Sequence, residues 1–397
     1  MKNNMINYLK RHPRLMSFIW TLGRSLITIW NCFIQENEKQ IIFSSFGGRK
    51  FDDSPKRIYE EICSREQFDD YKLIWAFTNP DEFQIKRGEK VKIDTILFFK
   101  LLLQSRIWVS NTIIDRGFNL KFKNKIRVET WHGTPIKKIA GDENTKYASE
   151  NNGKHKKKNI DSRTIRCAQS SYDRDIFSRL FNASKESILL CDLPRNDELF
   201  EYSETDCIQI KKSIGIPLDK KIILYTPTYR EFLLNSNDKK SIIPPIDIAR
   251  WKKEIGKEYI LLFRLHYAVS DALDIGDDSF VFDVSKYPNL NDLFIISDLM
   301  ISDYSSTFFD YGILGRPMLC FAYDLEEYTQ KRGLYRKLEE ILPCEIHLCE
   351  DTILESLKKI DVDKESQKTK EFHQLYTPYA GNAGKRVVDE IERRINL

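Results

Sequence analysis

Two histidines, His132 and His266, stand at the ends of predicted strands, among residues that suit proton transfer and phosphate binding. His132 lies in "ETWHGTPIKK", before a glycine that allows a tight turn and close to Lys137 and Lys138. His266 ends "YILLFRLH", two residues after Arg264, so the two side chains share a strand face. A single histidine is more often structural, but this pair could supply a general base and a group that stabilises developing charge.

A second segment, "SDYSSTFFDYGILGRP" at 302–317, has the features of an anion site. Ser305 and Ser306 stand at or just before the predicted start of a short helix, where free backbone N–H groups favour negative charge. Ser305 could equally be a plain N-cap, which stabilises a helix by about 1 kcal/mol. The chain has no GxxxxGK[ST] and no GxGxxG motif, so it carries neither a P-loop nor a dinucleotide-binding fingerprint.

Alternating strands and helices must hold these residues in place. Apolar runs of strand length occur in both halves of the chain, and runs of helical character separate them. Strands are predicted at 40–46, 71–77, 106–112, 126–131, 164–170, 187–192, 221–229, 259–266, 279–285, 299–306 and 317–324. Helices are predicted at 54–65, 94–105, 246–256, 289–297 and 306–315. This order predicts an α/β fold in which two Rossmann-like, doubly wound parallel-sheet domains face each other across a cleft.

The loops after the predicted strands should line that cleft, because ligands of such sheets bind outside the carboxyl ends of the strands. In the first half these loops are "SSFGGRKFDDSP", "SNT" and "HGTPIKK"; in the second half they are "TPTYRE", "RLHY" and "SDYSST". Together they are rich in hydroxyls, glycines, histidines and arginines, and they lack clustered carboxylates. This composition favours phosphoryl transfer, in which a protein mainly positions groups and stabilises charge.

The overall composition is that of a globular protein in a reducing environment. The chain has 397 residues, 41% of them hydrophobic, which predicts two domains with cores of ordinary size. Its eight cysteines are scattered without the spacing of a zinc site, which favours a cytoplasmic setting. The net charge is +4, with basic residues concentrated in the first 24 positions and at 153–159. Each basic cluster is either ordinary solvated surface or a contact for an anionic partner.

The N-terminal segment raises a separate question about membranes. Residues 15–34 are apolar, but Arg24 interrupts them and no signal-peptide cleavage site follows, so neither a transmembrane helix nor a signal peptide is predicted. On a helical wheel one face collects the apolar side chains of Leu15, Phe18, Ile19, Leu22, Leu26, Trp30 and Phe33. Such a helix either docks on its own domain or lies in a membrane interface, where basic side chains meet lipid phosphates.

Six segments form an ordered set of motifs over about residues 125–390. They are "WHGTPIKK", "LPRND", "YTPTYRE", "FRLH", "ISDYSSTFFDYGILGRPMLCFAYDLEEYTQKRGLY" and "YAGNAGKRVV". This set resembles the CDP-glycerol:poly(glycerophosphate) glycerophosphotransferase family of teichoic acid and capsule synthesis. The resemblance implies a GT-B fold and transfer of an alditol phosphate from a CDP-alditol to a lipid-linked acceptor, with release of CMP. It also implies a peripheral enzyme at the cytoplasmic face of the cell membrane, which favours an interfacial N-terminal helix.

The resemblance further implies roles for individual residues. His132 matches the family's general base, and His266 matches a second essential histidine near the donor diphosphate. Substrate-binding roles are predicted for Gly133, Thr134, Thr226, Thr228, Arg230, Arg264, Asp303, Ser305, Ser306 and Asp310. The chain departs from the family pattern at Tyr267, where proline is frequent, and at Asp192, where glycine is usual. These departures bear on substrate preference more than on the reaction.

We therefore expect a CDP-glycerol glycerophosphotransferase of primase type, since the chain is short for a processive polymerase of the family. The expected parts are an amphipathic membrane-interface helix at 1–35, an acceptor domain at 36–200 and a CDP-alditol-binding domain at 201–397. The expected partners are a CDP-glycerol donor, a lipid-linked glycan acceptor and an anionic membrane surface, with no nucleic acid. CDP-ribitol is the alternative donor, and a GT-B glycosyltransferase using a nucleotide sugar is the alternative enzyme. No tightly bound metal is expected, although Mg²⁺ could stimulate the reaction, and the oligomeric state stays open.

Overall fold

The predicted alternation of strands and helices is seen in a computed structural model of the chain. The structure describes residues 13–118, 120, 122, 124–139, 142, 163–230, 245–265 and 279–396. The strands are β1 (Asn37–Ser44), β2 (Lys72–Phe77), β3 (Glu89–Lys92), β4 (Ser105–Ser110), β5 (Ile126–Glu129), β6 (Thr164–Ala168), β7 (Ile188–Leu190), β8 (Lys221–Thr226), β9 (Tyr259–Phe263), β10 (Val281–Asp283), β11 (Leu299–Ser302), β12 (Met318–Phe321) and β13 (Ile346–His347). The α-helices are α1 (Pro13–Asn31), α2 (Asp53–Cys63), α3 (Ile96–Gln104), α4 (Ser171–Phe181), α5 (Glu198–Glu201), α6 (Glu204–Ile214), α7 (Ile248–Ile255), α8 (Leu290–Ile296), α9 (Thr307–Gly312), α10 (Leu325–Lys331), α11 (Leu338–Ile341), α12 (Glu350–Lys359), α13 (Val362–Tyr376) and α14 (Ala383–Ile395).

The first sheet is parallel and runs in the order β3-β2-β1-β4-β5-β6-β7. Alternate residues of β1 face opposite sides: Ile41 and Phe43 lie in one hydrophobic core and Ile42 lies in the other. Because both faces are covered, the strands are nearly continuous apolar runs, and six of the seven were predicted. The unpredicted strand, β3, has the sequence "EKVK", in which Val91 alone is buried.

The second sheet is also parallel and runs in the order β10-β9-β8-β11-β12-β13. This order, in which the first strand neighbours the second and fourth, is that of doubly wound dinucleotide-binding domains. The predicted fold class of two such domains is confirmed. In each sheet the strand order reverses at one point, between β1 and β4 in the first and between β8 and β11 in the second. Ligands of doubly wound sheets bind at the carboxyl ends of such strand pairs.

The C-terminal helix α14 packs on the first domain, although it follows the second in sequence. Val387 and Ile391 lie in the core beneath the first sheet. The carboxylate of Asp197 accepts a hydrogen bond of 2.8 Å from the N–H of Ala383, which anchors the start of the helix. The second domain was predicted to cover 201–397. In the structure its last helix, α14, belongs with the first domain, because the apolar face of α14 is buried against the first sheet.

Helix α1 docks on the first domain by one side. The Trp20 ring meets Phe118 edge-on with centroids 4.7 Å apart, Nε of Arg24 donates to the Phe118 carbonyl at 2.7 Å, and Ile27 is buried. Beside this docked side lies an apolar stripe whose members are 41–82% exposed: Leu15, Phe18, Ile19, Leu22, Leu26 and Ile29 on the helix, and Phe33 in the turn that follows it. Trp30, predicted on the same face, instead packs against the core. None of the helices in the described residues combines the length and apolar character needed to cross a membrane.

Candidate active site

His132 occupies the loop after β5, at the carboxyl edge of the first sheet. Its Nδ1 lies 3.1 Å from the carbonyl oxygen of Asn111. Because a carbonyl oxygen can only accept, Nδ1 carries the proton and the lone pair lies on Nε2. The imidazole also stacks on the ring of Trp131, with centroids 4.5 Å apart, which restricts its orientation.

The charge state of His132 follows from its surroundings. Burial lowers the pKa of His132, and the hydrogen bond to Asn111 and the negative charge of Asp53 oppose this effect. The pKa therefore lies below the ordinary imidazole value, and the ring is neutral near pH 7. A neutral imidazole whose free nitrogen is defined can accept a proton from a substrate hydroxyl.

Gly133 brings the first domain against the second, at the loop that contains Ser305 and Ser306, here called the serine loop. Its φ of +142° favours glycine, and a Cβ at this position would lie 2.3 Å from Oγ of Ser306. Any larger residue would therefore displace the serine. The loop that carries His132 and the serine loop are therefore neighbours across the cleft.

The serine loop leads directly into α9. Oγ of Ser305 accepts a hydrogen bond of 3.2 Å from the N–H of Thr307, so this serine does help to start the helix. Ser306 is the residue before the first helical position, and its side chain makes no capping hydrogen bond. Both serines are half-buried. The Ser306 hydroxyl thus faces the first domain without serving as a cap.

Two threonine hydroxyls lie at the end of β8, beside β11. Oγ1 of Thr226 and Oγ1 of Thr228 are buried and have no hydrogen-bond partner among the described residues. Leaving a buried hydroxyl unsatisfied costs about 1–3 kcal/mol. The location, at the point where the strand order of the second sheet reverses, is the one where doubly wound sheets bind ligands. Both observations favour a ligand at this edge.

Arg195 connects the two domains next to His132. Its Nη1 donates to Oδ2 of Asp53 at 2.8 Å and to the carbonyl oxygen of His132 at 3.1 Å, and its Nη2 donates to Oδ2 of Asp310 at 2.6 Å. The side chains of Asp53 and Asp310 are 6% and 2% exposed, so both carboxylates depend on the shared guanidinium. Arg195 and Asp53 were not predicted as site residues, although "LPRND" and the strand-end "FDDSP" contained them.

This arrangement can be compared with known proteins. A family model described as CDP-Glycerol:Poly(glycerophosphate) glycerophosphotransferase matches residues 27–393. The chain belongs to this family. The family accounts for the ordered motifs on both sides of the cleft, which lie within the matched range.

Two curated relatives and one solved structure to which the chain is similar are teichoic acid enzymes. The chain is 37% identical over 332 residues to a teichoic acid poly(glycerol phosphate) polymerase of Staphylococcus epidermidis, covering 81% of this chain and 46% of that protein. It is 30% identical over 368 residues to a polymerase of the same name from Bacillus spizizenii, covering 90% of this chain and 93% of that protein. The chain thus spans about half of the first relative and nearly all of the second. A structure of the wall teichoic acid polymerase TagF, a His-to-Asn variant soaked with CDPG, is 32% identical with a TM-score of 0.81, covering 100% of this chain and 99% of that chain.

Asp303 and Arg230, which the glycerophosphotransferase motifs assign to substrate, are bonded to protein groups instead. Oδ1 of Asp303 accepts from the N–H of Thr228 and Oδ2 accepts from Nη1 of Arg230, both at 2.8 Å. Arg230 makes two further hydrogen bonds of 2.8 Å to Asp324. Both side chains are buried and bonded to protein groups, and their contact with substrate stays a prediction. Their geometry suits holding the Thr228 loop against the serine loop.

Thr134 and Asp310 are also bonded to groups within the protein. Thr134 is fully buried, and its hydroxyl lies 3.0 Å from Oδ2 of Asp173. The two carboxylate oxygens of Asp310 accept from Arg195 and from Nδ2 of Asn196, the latter at 2.7 Å. The polar atoms of both residues thus belong to buried hydrogen-bond networks, and substrate contact by these residues stays a prediction.

The remaining site predictions concern Arg264, His266 and metals. Nη1 of Arg264 donates to the carbonyl oxygens of Val284 at 3.3 Å and Tyr287 at 2.8 Å. Burial lowers the pKa of Arg264, and the negative charge of Asp52 in the first domain opposes this effect. His266 lies outside the described residues, and its role stays a prediction.

The described residues contain no cluster of three or more histidine, cysteine, aspartate or glutamate side chains placed to hold a metal ion.

Proposed function

We propose that this protein transfers glycerol phosphate from CDP-glycerol to a hydroxyl of a lipid-linked glycan, with release of CMP, in teichoic acid or capsular polymer synthesis. The observation that supports this most strongly is the neutral imidazole of His132, held with Nε2 as its free nitrogen next to the serine loop of the opposite domain. Such a pair places a base and hydroxyl donors on two sides of one reacting phosphate. Membership of the glycerophosphotransferase family supports the same reaction.

In the proposed reaction the first domain deprotonates the acceptor and the second domain stabilises the leaving group. Nε2 of His132 removes the proton of the acceptor hydroxyl, and the acceptor oxygen attacks the phosphorus that carries glycerol. The bond from that phosphorus to the oxygen shared with CMP breaks, and CMP leaves with the electron pair. The hydroxyls of Ser305 and Ser306 stabilise the charge that develops on the leaving phosphate, with His266 as the predicted second contributor. The buried hydroxyls of Thr226 and Thr228 bind the nucleotide half of the donor.

Donor choice is tested by CMP release. Purified protein with a lipid-linked disaccharide is expected to release CMP from CDP-glycerol faster than from CDP-ribitol, and to leave UDP- and GDP-sugars intact. Nucleotide release is measured by chromatography, with acceptor omitted as the control for hydrolysis. Faster turnover of CDP-ribitol would make ribitol phosphate the transferred group. Turnover of a nucleotide sugar without turnover of either CDP-alditol would favour the glycosyltransferase alternative.

Chain length does not decide how many units are added. The match covers 93% of the B. spizizenii polymerase, so a polymerase of comparable length exists and chain length does not favour a primase. Transfer of a single first unit stays a prediction from the resemblance. The mass of the product on a defined acceptor tests it, since a primase adds one unit of glycerol phosphate and a polymerase adds a ladder.

We further propose that the protein lies peripherally on the cytoplasmic face of an anionic membrane. The exposed apolar stripe of α1 supports this, because contiguous exposed apolar side chains mark surfaces that bind partners or membranes. Lys10 and Arg11 precede the helix in the sequence, and basic residues near a helix of this kind favour an anionic lipid surface. A peripheral position would bring the cleft to an acceptor that is anchored in lipid.

The stripe on α1 can be tested without disturbing the docked side. Replacing Phe18, Leu26 and Phe33 together with glutamine is expected to weaken binding to anionic vesicles at least about tenfold, since burying each such side chain contributes about 1.5–3 kcal/mol. Binding is measured by co-sedimentation with phosphatidylglycerol vesicles, and high salt should weaken it without abolishing it. The matched control replaces three exposed leucines of the second domain with glutamine: Leu218, Leu348 and Leu375. Equal sedimentation of both triple variants would contradict the membrane role of α1.

A further inference from the structure

Phe46 lies where neither packing nor backbone preference accounts for a large apolar side chain. It is half-buried just after β1, and it belongs to none of the hydrophobic clusters formed by the described residues. Its φ is +46°, a left-handed conformation that costs a bulky residue about 1–3 kcal/mol. Residues held in such conformations concentrate at functional sites. The conformation and exposure of Phe46 therefore favour a role of its ring in ligand binding over a role in packing.

The same asparagine holds Phe46 and the base. The N–H of Phe46 donates to Oδ1 of Asn111 at 2.8 Å, while the backbone carbonyl of Asn111 accepts from Nδ1 of His132. The rings of Phe46 and His132 have centroids 6.1 Å apart. Asn111 thus fixes an aromatic surface directly beside the imidazole that takes the proton.

Lys50 adds a positive charge at this surface. Its Nζ lies 5.5 Å from the centroid of the Phe46 ring. Its present partner is Asp52, at 3.4 Å, and the two side chains are 50% and 34% exposed. An ion pair this exposed contributes about 0–1 kcal/mol. The ammonium can therefore exchange to a phosphate oxygen of a ligand at little cost.

We propose that Phe46 and Lys50 form the subsite for the acceptor, an inference that rests on the proposed function. The Phe46 ring packs against the carbon skeleton of the acceptor's terminal hydroxyl-bearing unit and so presents its hydroxyl to Nε2 of His132. Lys50 pairs with a phosphate of the same acceptor. That phosphate belongs either to a terminal glycerol phosphate or to the diphosphate that links the glycan to lipid. The hydroxyls of Thr226 and Thr228 lie on the opposite domain, which leaves this side of the cleft to the acceptor.

The aromatic half of the subsite is tested with Phe46→Ala and Phe46→Tyr in the full chain. Phe46→Ala is expected to raise the acceptor KM about tenfold with kcat nearly unchanged, and Phe46→Tyr, which keeps the ring, should restore the KM. The dissociation constant for CDP-glycerol, measured by calorimetry, should not change in either. Phe200→Ala, a partly exposed phenylalanine outside the cleft, is the matched control. A fall in kcat without a change in acceptor KM would overturn the inference, because Phe46 would then only align the base.

The charged half is tested with Lys50→Gln and two water-soluble acceptors. One is a short-chain disaccharide diphosphate, and the other carries one additional glycerol phosphate. A raised KM for both acceptors assigns Lys50 to the lipid-linking diphosphate, and a raised KM for the extended acceptor alone assigns it to the terminal glycerol phosphate. Lys72→Gln, which removes a similarly exposed lysine paired with Glu89, is the control. Unchanged KM values for both acceptors would overturn the role of Lys50, whereas absence of CMP release from the unmodified protein would overturn the proposed function itself.

Discussion

Replacing His132 with asparagine is expected to lower kcat for CMP release by about 10²–10⁴-fold, the range over which a positioned general base contributes. Asparagine can still donate a hydrogen bond toward the Asn111 carbonyl, but it has no nitrogen that accepts a proton at neutral pH. Donor binding should be unchanged, because the groups predicted to hold CDP-glycerol lie on the second domain. The measurement is steady-state CMP release, combined with calorimetric binding of CDP-glycerol.

A second histidine serves as the control for this variant. His373 is half-buried on α13, where its Nδ1 is 2.5 Å from Oγ1 of Thr377, and His373→Asn should leave kcat within about twofold, because α13 carries none of the candidate site residues. Normal turnover by His132→Asn would show that another group is the base.

The pH profile of the unmodified protein gives an independent check on His132. Only the neutral imidazole accepts a proton, so kcat/KM should fall as pH drops through the pKa of this residue. Since burial lowers that pKa, the acid limb should lie below about pH 6.5, the ordinary imidazole value. An acid limb above pH 7 would contradict the burial argument.

Replacing Arg195 with methionine is expected to lower the free energy of unfolding by about 3–5 kcal/mol, the usual cost of removing one partner of a buried ion pair. The substitution leaves the carboxylates of Asp53 and Asp310 buried without their common cation. It also removes the donor to the carbonyl oxygen of His132, so turnover should fall together with stability. Urea unfolding and CMP release measure the two effects.

Neutralising Asp53 and Asp310 together with Arg195 distinguishes a loss of charge pairing from a loss of ordinary packing. The triple variant Arg195→Met, Asp53→Asn, Asp310→Asn should recover much of the lost stability, because no unpaired charge then stays buried. Arg116→Met, which removes an exposed partner of Asp94, should cost about 0–1 kcal/mol and serves as the control. If Arg195→Met cost no more than Arg116→Met, the network would not hold the domains together.

The features that depend on near neighbours in sequence were predictable. The apolar runs around Ile42 predicted strands because a strand covered on both faces buries every residue. His132 and Ser306 were predicted at strand ends, since glycine, proline and serine mark the turns that follow strands. The order of these elements predicted two parallel sheets, because strands joined by helices pair in parallel.

The features that depend on distant residues were not predictable. Arg195 meets Asp53, 142 residues earlier, and Asp310, 115 residues later, and no local pattern marks such a meeting. A carboxylate at a strand end looks the same whether it binds substrate or, as in Asp303, accepts from a buried arginine. The apolar face of α14 could cover either sheet. Burial decides each of these cases, and burial is a property of the packed chain, because hydrophobic and electrostatic interactions depend on distance in space and not on separation along the sequence.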